Sequence, residues 1–129
     1  MLIPGTEGMR YVGNAAVSET TYMQTGLLQS MIVVQNRIHV REEYRVKFEK
    51  LFSERESTLS EVPGFVSNEV LRPLNGSEYV VMTHWQTIED FQNWRKSDSF
   101  RKAHSGERLP DEAFDGDSQV MIHEVFLTR

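Results

Sequence analysis

An asparagine interrupts the apolar face of a predicted strand, where packing alone does not require a polar group. Asn36 shares its alternating face with Ile32, Val34 and Ile38. If that face packs against helices the amide is buried, and a buried amide without partners costs about 1–3 kcal/mol. The pattern leaves two interpretations of Asn36: a core amide bonded to neighbouring backbone, or a polar group that serves a site.

A histidine shares the apolar face of a short predicted helix. Phe100, Ala103 and His104 follow the spacing i, i+3 and i+4, which places the imidazole on the face of the phenylalanine. A neutral imidazole is the commonest protein ligand for metals, haem iron included. The alternative is a histidine at a helix end, where the helix dipole favours its protonated form. His104 is therefore a candidate metal ligand.

A tryptophan and a basic patch accompany this histidine. Trp94 follows Phe91 by three residues, and an aromatic stripe at this spacing is a core feature when taken alone. Five basic and two acidic side chains give the segment 95–108 a local charge of +3 on a chain of net charge −5. The patch suits an anionic ligand, and it is also common near helix C-termini. Its members are Arg95, Lys96, Arg101, Lys102, Arg108, Asp98 and Glu107.

Motifs of several other chemistries do not appear in the sequence. The chain has no cysteine, so we expect neither disulfides nor thiolate metal sites. The remaining histidines, His39, His84 and His123, are dispersed over three predicted strands without HExxH spacing. No Gly-rich phosphate loop and no GxSxG motif is present. A non-haem metal site and phosphate-loop chemistry are therefore not indicated.

Composition restricts the partners and the compartment. The net charge of −5 argues against a nucleic-acid partner, because phosphate-backbone binding needs a basic face. No apolar run approaches the roughly 20 residues of a membrane span, and the sequence shows no secretory signal. We therefore expect no membrane partner and a cytoplasmic location.

Hydrophobic periodicity predicts two helical regions and four strands after residue 30. Apolar residues at i, i+4, i+7 and i+8 mark an amphipathic helix over 41–58. Thr87 with Asp90 resembles a capping box that opens the second helix, and Ser97 is a predicted N-cap of its final piece. Asn75-Gly76 predicts a tight hairpin. The predicted strands are 31–40, 65–74, 77–85 and 118–127, with a solvated loop over 105–117.

The element order β-α-β-β-α-β predicts an α+β fold of the ferredoxin-like type over residues 31–129. Residues 1–30 form a Gly/Ser/Thr-rich N-terminal extension in which the pattern indicates one strand. Helices cover one face of the sheet. Because the last strand carries large apolar residues on both sides, we expect the other face to pack against a second copy in a homodimer, as in a dimeric α/β barrel. Val120, Ile122 and Phe126 point one way, and Met121, Val125 and Leu127 the other.

Residues 31–128 resemble the antibiotic biosynthesis monooxygenase superfamily. The matching segments are PGF at 63–65, before the second strand, and the run WQTIEDFQNWRKSDSFRKAH over 85–104. Within that superfamily the chain is similar to the IsdG-type haem-degrading branch. This branch carries an Asn on the first strand, a Trp on the second helical region and a His ten residues later, positions that Asn36, Trp94 and His104 occupy here.

The resemblance implies a haem-degrading monooxygenase. It implies that His104 is the axial ligand of the haem iron and that Asn36 donates its amide N–H on the distal side. Trp94 presses on the porphyrin and distorts it, and Phe100 completes the haem-binding set. Haem is then substrate and cofactor together, and its ring is opened with release of iron. The sequence has no flavin or nicotinamide motif, so we expect an external reductase to supply the electrons.

Two other functions fit the same predicted fold. The first is a cofactor-independent monooxygenase acting on a polycyclic or quinol substrate, which would need no iron ligand, so that His104 argues against it. The second is a non-catalytic haem-binding protein, which would need His104 but neither Asn36 nor Trp94.

Overall fold

The computed structural model describes residues 9–12, 15–18, 31–55 and 57–129. Its main body is a four-stranded antiparallel sheet with helices against one face. The strands of this sheet are β3 (Ile32–His39), β4 (Phe65–Leu71), β5 (Glu78–Trp85) and β6 (Gln119–Glu124). The helices are α1 (Arg45–Glu54), α2 (Ile88–Arg95) and α3 (Asp98–Ala103).

The strand order β4-β5-β3-β6 confirms the predicted ferredoxin-like α+β fold. β3 lies in the centre and pairs antiparallel with β5 on one side and with β6 on the other. β4 pairs with β5, with a register shift between Phe65 and Ser67. The strands and helices occur in the predicted order. Apolar residues alternate with polar ones along the strands and recur at helical spacing in the helices, so both patterns place apolar side chains on one face of the sheet.

Two apolar clusters hold the helices on that face. α2 packs through Phe91 and Trp94 onto a cluster that contains Ile32, Val34 and Trp85. α1 packs through Phe48 and Phe52 onto Val40 and Tyr79. Since Ile32, Val34 and Ile38 alternate along β3, both clusters lie on the same side of the sheet.

Both predicted caps of the second helical region are formed. Thr87 accepts a hydrogen bond from the Asp90 backbone N–H at 3.1 Å, and α2 begins at the next residue after Thr87. Ser97 accepts one from the Phe100 N–H at 3.2 Å and opens α3. These bonds satisfy backbone donors that have no partner inside the helix. The break between α2 and α3 is therefore encoded locally.

The predicted tight hairpin at Asn75-Gly76 is wrong. β4 ends at Leu71 and β5 begins at Glu78, so a six-residue connection joins them. Gly76 has a φ of +88°, but no non-glycine residue of the described chain has positive φ, so the two-residue turn that needs both residues there does not form. Pro73 explains the early end of β4, because it has no N–H to donate to a ladder.

Three other predicted boundaries change. The helix predicted over 41–58 begins with a 3₁₀ turn, Glu42–Tyr44, and ends at Glu54. The loop 105–117 includes a 3₁₀ turn, Asp111–Ala113, whose Ala113 is fully buried, so this segment is not simply solvated. The last strand is shorter than predicted, ending at Glu124.

The described part of the N-terminal extension contains two strands where the sequence indicated one. β1 (Met9–Val12) and β2 (Ala15–Ser18) pair with each other in an antiparallel ladder. They form a separate two-stranded sheet.

No helix among the described residues is both long enough and apolar enough to cross a membrane.

Candidate functional site

Asn36 lies at the centre of the sheet on the face that carries the helices. Its register partners are Val81 on β5 and Val120 on β6. The side-chain Oδ1 is buried and finds no hydrogen-bond partner in the part of the chain that the structure describes. For this oxygen, the alternative interpretation of a core amide bonded to neighbouring backbone finds no support among the described residues. A buried amide in this state is a polar group in need of a partner.

His104 is the C-cap of α3, and its ring is oriented by the helix. Its Nδ1 lies 2.8 Å from the carbonyl oxygen of Phe100. Because a carbonyl only accepts, Nδ1 carries the hydrogen of this bond. In the neutral imidazole Nε2 then has the free lone pair. This Nδ1–H tautomer is the one that binds a metal through Nε2. The side chain is exposed, so Nε2 is accessible to a ligand from outside the chain.

Aromatic contacts join His104 to the core of the molecule. The His104 ring stacks on Phe100 with centroids 4.0 Å apart, and Phe100 meets Trp94 edge-on at 4.8 Å. Trp94 lies 6.2 Å from the His104 ring and 5.3 Å from the fully buried Trp85. The structure thus brings Trp94, Phe100 and His104 into one group of neighbouring rings, which we call the ring stack.

Asn36 is linked to this group through the core. Val34, two residues before Asn36 on the same strand face, belongs to the cluster onto which Trp94 packs. The four predicted site residues therefore lie on the helix side of the sheet, with the amide in the sheet itself and the three rings on α2 and α3. This arrangement can offer a nitrogen ligand, an aromatic wall and a buried hydrogen-bonding group.

Two basic side chains of the segment 95–108 make contacts within the chain. Arg101 forms an ion pair with Asp98 one turn away. The Arg95 guanidinium lies over the Phe91 ring, 5.6 Å from its centroid. The net charge of +3 already includes Asp98 and is unchanged by these contacts, but two of the five basic side chains are engaged within the chain.

A groove of about 650 Å³ lies beside the site but does not include its polar members. Its lining includes Trp94, Lys102 and Ala103 from α2 and α3, together with Val62 and Pro63. Neither Asn36 nor His104 contributes to it. The candidate site is therefore the ring stack together with the buried amide, because the candidate metal ligand and the buried hydrogen-bonding group lie there and not in the groove.

A second polar cluster was not found by sequence reasoning. Glu49 of α1 accepts a bidentate hydrogen bond from Arg72 and one of 2.5 Å from the hydroxyl of Tyr79. The bonds from Arg72 and then Tyr79 hold the pKa of Glu49 at about 2, below its ordinary value of 4.5. Arg72 and Tyr79 lie 23 and 30 positions after Glu49, so no local spacing in the sequence predicts the cluster. They connect α1 with β5 and with the residue that follows β4, and they are distinct from the group of Trp94, Phe100 and His104.

Comparisons with known proteins point to one family. Residues 31–106 match the family described as antibiotic biosynthesis monooxygenase. The chain is 37% identical over 78 residues to a mycobilin-producing heme oxygenase of Mycobacterium tuberculosis, covering 60% of this chain and 73% of that protein. It is 36% identical over 69 residues to a heme-degrading monooxygenase of Halalkalibacterium halodurans, covering 51% of this chain and 58% of that protein.

A solved structure agrees with this assignment. The heme degrader MhuD of Mycobacterium tuberculosis, with two hemes bound in its active site, superposes with a TM-score of 0.63 at 32% identity. The match covers 76% of this chain and 98% of MhuD. Family, sequence and structure thus confirm the resemblance on which the sequence prediction rested: the chain belongs to the antibiotic biosynthesis monooxygenase family and, within it, to the IsdG-type branch.

Proposed function

We propose that this protein is a haem-degrading monooxygenase that oxidatively opens the porphyrin ring and releases the iron. The identity of 37% to a mycobilin-producing heme oxygenase and the similarity to heme-bound MhuD support this activity. The family fold alone would not be enough, because one fold hosts different chemistries. The proposal therefore depends on whether the residues of the site fit haem.

The observation that carries the proposal is the hydrogen bond from His104 Nδ1 to the Phe100 carbonyl. It fixes the ring orientation and leaves Nε2 as the lone-pair nitrogen, as a metal-binding histidine requires. The ring also stacks on Phe100, which restricts its rotation. His104 would hold the iron through Nε2, while Phe100 holds His104 in place.

Trp94 and Asn36 fit the remaining surroundings of a porphyrin. Trp94 is half-buried between Trp85 and Phe100, so it offers a ring that neighbouring rings keep from moving. Pressing such a ring against the macrocycle is a way in which a protein distorts a cofactor. Asn36 supplies a buried amide without a partner for Oδ1. Rotation about χ2 exchanges the oxygen and the NH₂ of an amide, so Asn36 can also donate a hydrogen bond.

Bound haem supplies the iron centre at which O₂ is activated and the ring carbon that is oxidised. The chain's own residues would contribute the iron ligand His104, the ring of Trp94 and the hydrogen-bonding amide of Asn36, which together bind and orient the porphyrin. We propose that electrons come from an external reductase and that the active form is a homodimer. The cytoplasmic location stays a prediction.

Two alternatives share the fold and are separated by the site. A cofactor-independent monooxygenase would have no need of an imidazole oriented with its Nε2 lone pair accessible. A non-catalytic haem-binding protein would use His104 but would gain nothing from the buried Asn36 Oδ1 without a partner, which costs stability. The arrangement of His104 and Asn36 therefore favours haem degradation over both.

Hemin titration of the purified chain tests the proposal. We expect a shifted Soret band on binding and loss of that band when a reductant and O₂ are added in the presence of catalase. Absence of hemin binding contradicts haem degradation and haem buffering alike. Binding without loss of the band, with catalase removing free peroxide, would assign the protein to haem buffering.

Single variants test the assigned roles. His104→Ala should abolish the ligated spectrum, whereas His39→Ala should keep it, because His39 bonds to Ser77 instead. Asn36→Ala should bind hemin but lose turnover. Unchanged turnover in Asn36→Ala would remove Asn36 from the mechanism.

A further inference from the structure

Two apolar side chains on the edge strand β6 are exposed on the side of the sheet that the helices cover elsewhere. Val120 is 52% exposed and Ile122 is 45% exposed. The β3 partner of Ile122 differs sharply, because Val34 is only 6% exposed, and Ile32 on the same face of β3 is 7% exposed. The cover provided by α1 and α2 therefore ends before it reaches β6.

The register places this pair directly beside the candidate site. Val120 is the β6 partner of Asn36, and Ile122 is the β6 partner of Val34. Directly opposite residues on neighbouring strands have their Cβ atoms about 4.5–5.5 Å apart and project to the same side of the sheet. Val120 therefore flanks the amide whose Oδ1 has no partner, and Ile122 continues the cluster onto which Trp94 packs.

Val120 and Ile122 form a short apolar strip, and its continuity with the buried amide of Asn36 argues for a ligand there. An exposed apolar pair next to an unpaired polar atom is what a site for a mostly apolar ligand with one hydrogen-bonding position looks like. A porphyrin has this chemistry, with a flat apolar ring around a polar centre. A second copy of the chain is a weaker candidate, because we expect it on the opposite face, where Met121 projects.

We propose that Val120 and Ile122 form an apolar support for the porphyrin ring, and that β6 is thus part of the haem site. This inference rests on the proposed function and adds a strand to it. α3 supplies the iron ligand, β3 supplies the amide, and β6 supplies the surface that excludes water from the adjoining part of the ring. A threonine or a charged residue in place of Val120 or Ile122 should leave β6 formed but remove the apolar contact with the ring.

Hemin affinity of strand variants tests the inference. Val120→Thr combined with Ile122→Thr keeps β-branched side chains and strand propensity while reducing apolar contact. We expect hemin to bind this double variant roughly threefold to tenfold more weakly, and Val120→Asp at least about tenfold more weakly. Val46→Thr, at an exposed position of α1 away from β6, is the control and should keep the affinity of the parent chain. Circular dichroism and sedimentation of each apoprotein check folding and mass.

The outcomes separate this inference from the proposed function. Hemin binding by the parent chain with unchanged affinity in the Thr double variant overturns the role of β6 and leaves haem degradation standing. Loss of the dimer in that variant with unchanged hemin affinity assigns the strip to a second copy and also overturns the role. Failure of the parent chain to bind hemin overturns both. Weakened hemin binding in a folded double variant of unchanged mass, with the affinity of Val46→Thr preserved, supports the role of β6.

Discussion

At the scale of single residues, the metal-binding tautomer of His104 follows from its position four residues after Phe100. The Phe100 carbonyl accepts from both the backbone N–H and the Nδ1 of His104, at 3.1 and 2.8 Å. A carbonyl oxygen has two lone pairs, so the Phe100 oxygen can accept the side-chain bond without losing the backbone bond. The same i, i+4 spacing places the His104 ring on the Phe100 ring. One sequence interval therefore sets both the orientation and the protonated nitrogen.

Asn36 should cost stability, because its buried Oδ1 has no partner. Replacing it by valine removes the unpaired group and places a strand-forming residue in β3. We expect Asn36→Val to raise the free energy of unfolding of the apoprotein by about 1–3 kcal/mol while abolishing haem turnover. Urea denaturation and the decay of the Soret band measure the two effects.

Asn68→Val is the matched control for this prediction. Asn68 lies on the same sheet face in β4 but is exposed, so its replacement changes strand propensity without removing a buried polar group. The difference between the two variants isolates the buried amide. Equal effects of the two substitutions would show that Asn36 pays no desolvation penalty.

Residues of the candidate site could be selected from the sequence because their signals are local. Asn36 breaks an alternation, and Phe100 and His104 share one helical face. The cluster of Glu49, Arg72 and Tyr79 could not be selected, because its members meet only when α1 lies across β4 and β5. Long-range ionic contacts carry no spacing in the sequence.

At the scale of elements, Gly64 of the PGF segment allows α2 to approach the start of β4. Gly64 has a φ of +81°, and a Cβ added there would overlap the Asp90 side chain at the start of α2. The left-handed backbone alone costs a residue with a Cβ about 1–2 kcal/mol. We therefore expect Gly64→Ala to lower the free energy of unfolding by at least about 1 kcal/mol, as measured by urea denaturation.

Gly106→Ala provides the comparison. Gly106 has no neighbour within 4 Å of an added Cβ, and its φ lies outside the left-handed region. Its substitution should leave stability nearly unchanged. If Gly64→Ala were equally neutral, the PGF segment would have no role in seating α2.

Glu49 connects α1 to the sheet in a way that depends on pH. Its pKa is about 2 in the folded chain, lowered first by the hydrogen bonds from Arg72 and then by the bond from Tyr79. A depressed folded-state pKa gives stability that is complete above the ordinary value of 4.5 and is lost as pH falls from 4.5 towards 2. We expect Glu49→Gln to be less stable than the parent chain at pH 7 and to lose less stability over that acid range.

Chemical denaturation at several pH values measures this difference. Glu89→Gln, at an exposed position in the first turn of α2, is the control and should retain the acid sensitivity of the parent chain. Parallel pH profiles for Glu49→Gln and the parent chain would contradict a stabilising role of the charged carboxylate.

The order and type of the strands and helices could be predicted from hydrophobic periodicity, but the connection between β4 and β5 could not. The strands β3 and β5 and the helices α1 and α2 bury apolar residues on one face, and that requirement is visible in the spacing of these residues. The turn after β4 departs from its Asn-Gly signal because Pro73 cannot join a ladder and because Arg72 is held by Glu49 of α1. Tertiary contacts thus overrode a local turn preference.

At the scale of the whole molecule, the two sheet faces have different compositions. The helix side carries the apolar clusters and the candidate site. On the opposite side Gln35 lies between Met82 and Met121 in register and donates to the Met82 sulfur at 3.5 Å. A second copy would therefore meet a surface that mixes methionines with polar groups, which is an ordinary composition for a protein interface.

Met121 tests whether that surface joins two copies. We expect the parent chain to sediment at twice its 15.0 kDa mass and Met121→Asp to shift towards the monomer, because association would bury the new charge without a partner. Val46→Asp is the control, since Val46 is 84% exposed on α1, away from this face, and should leave the mass unchanged. A parent chain that sediments as a monomer would contradict the homodimer. A dimer that survives Met121→Asp would instead exclude the part of this face around Met121 and its register partner Gln35 as the interface.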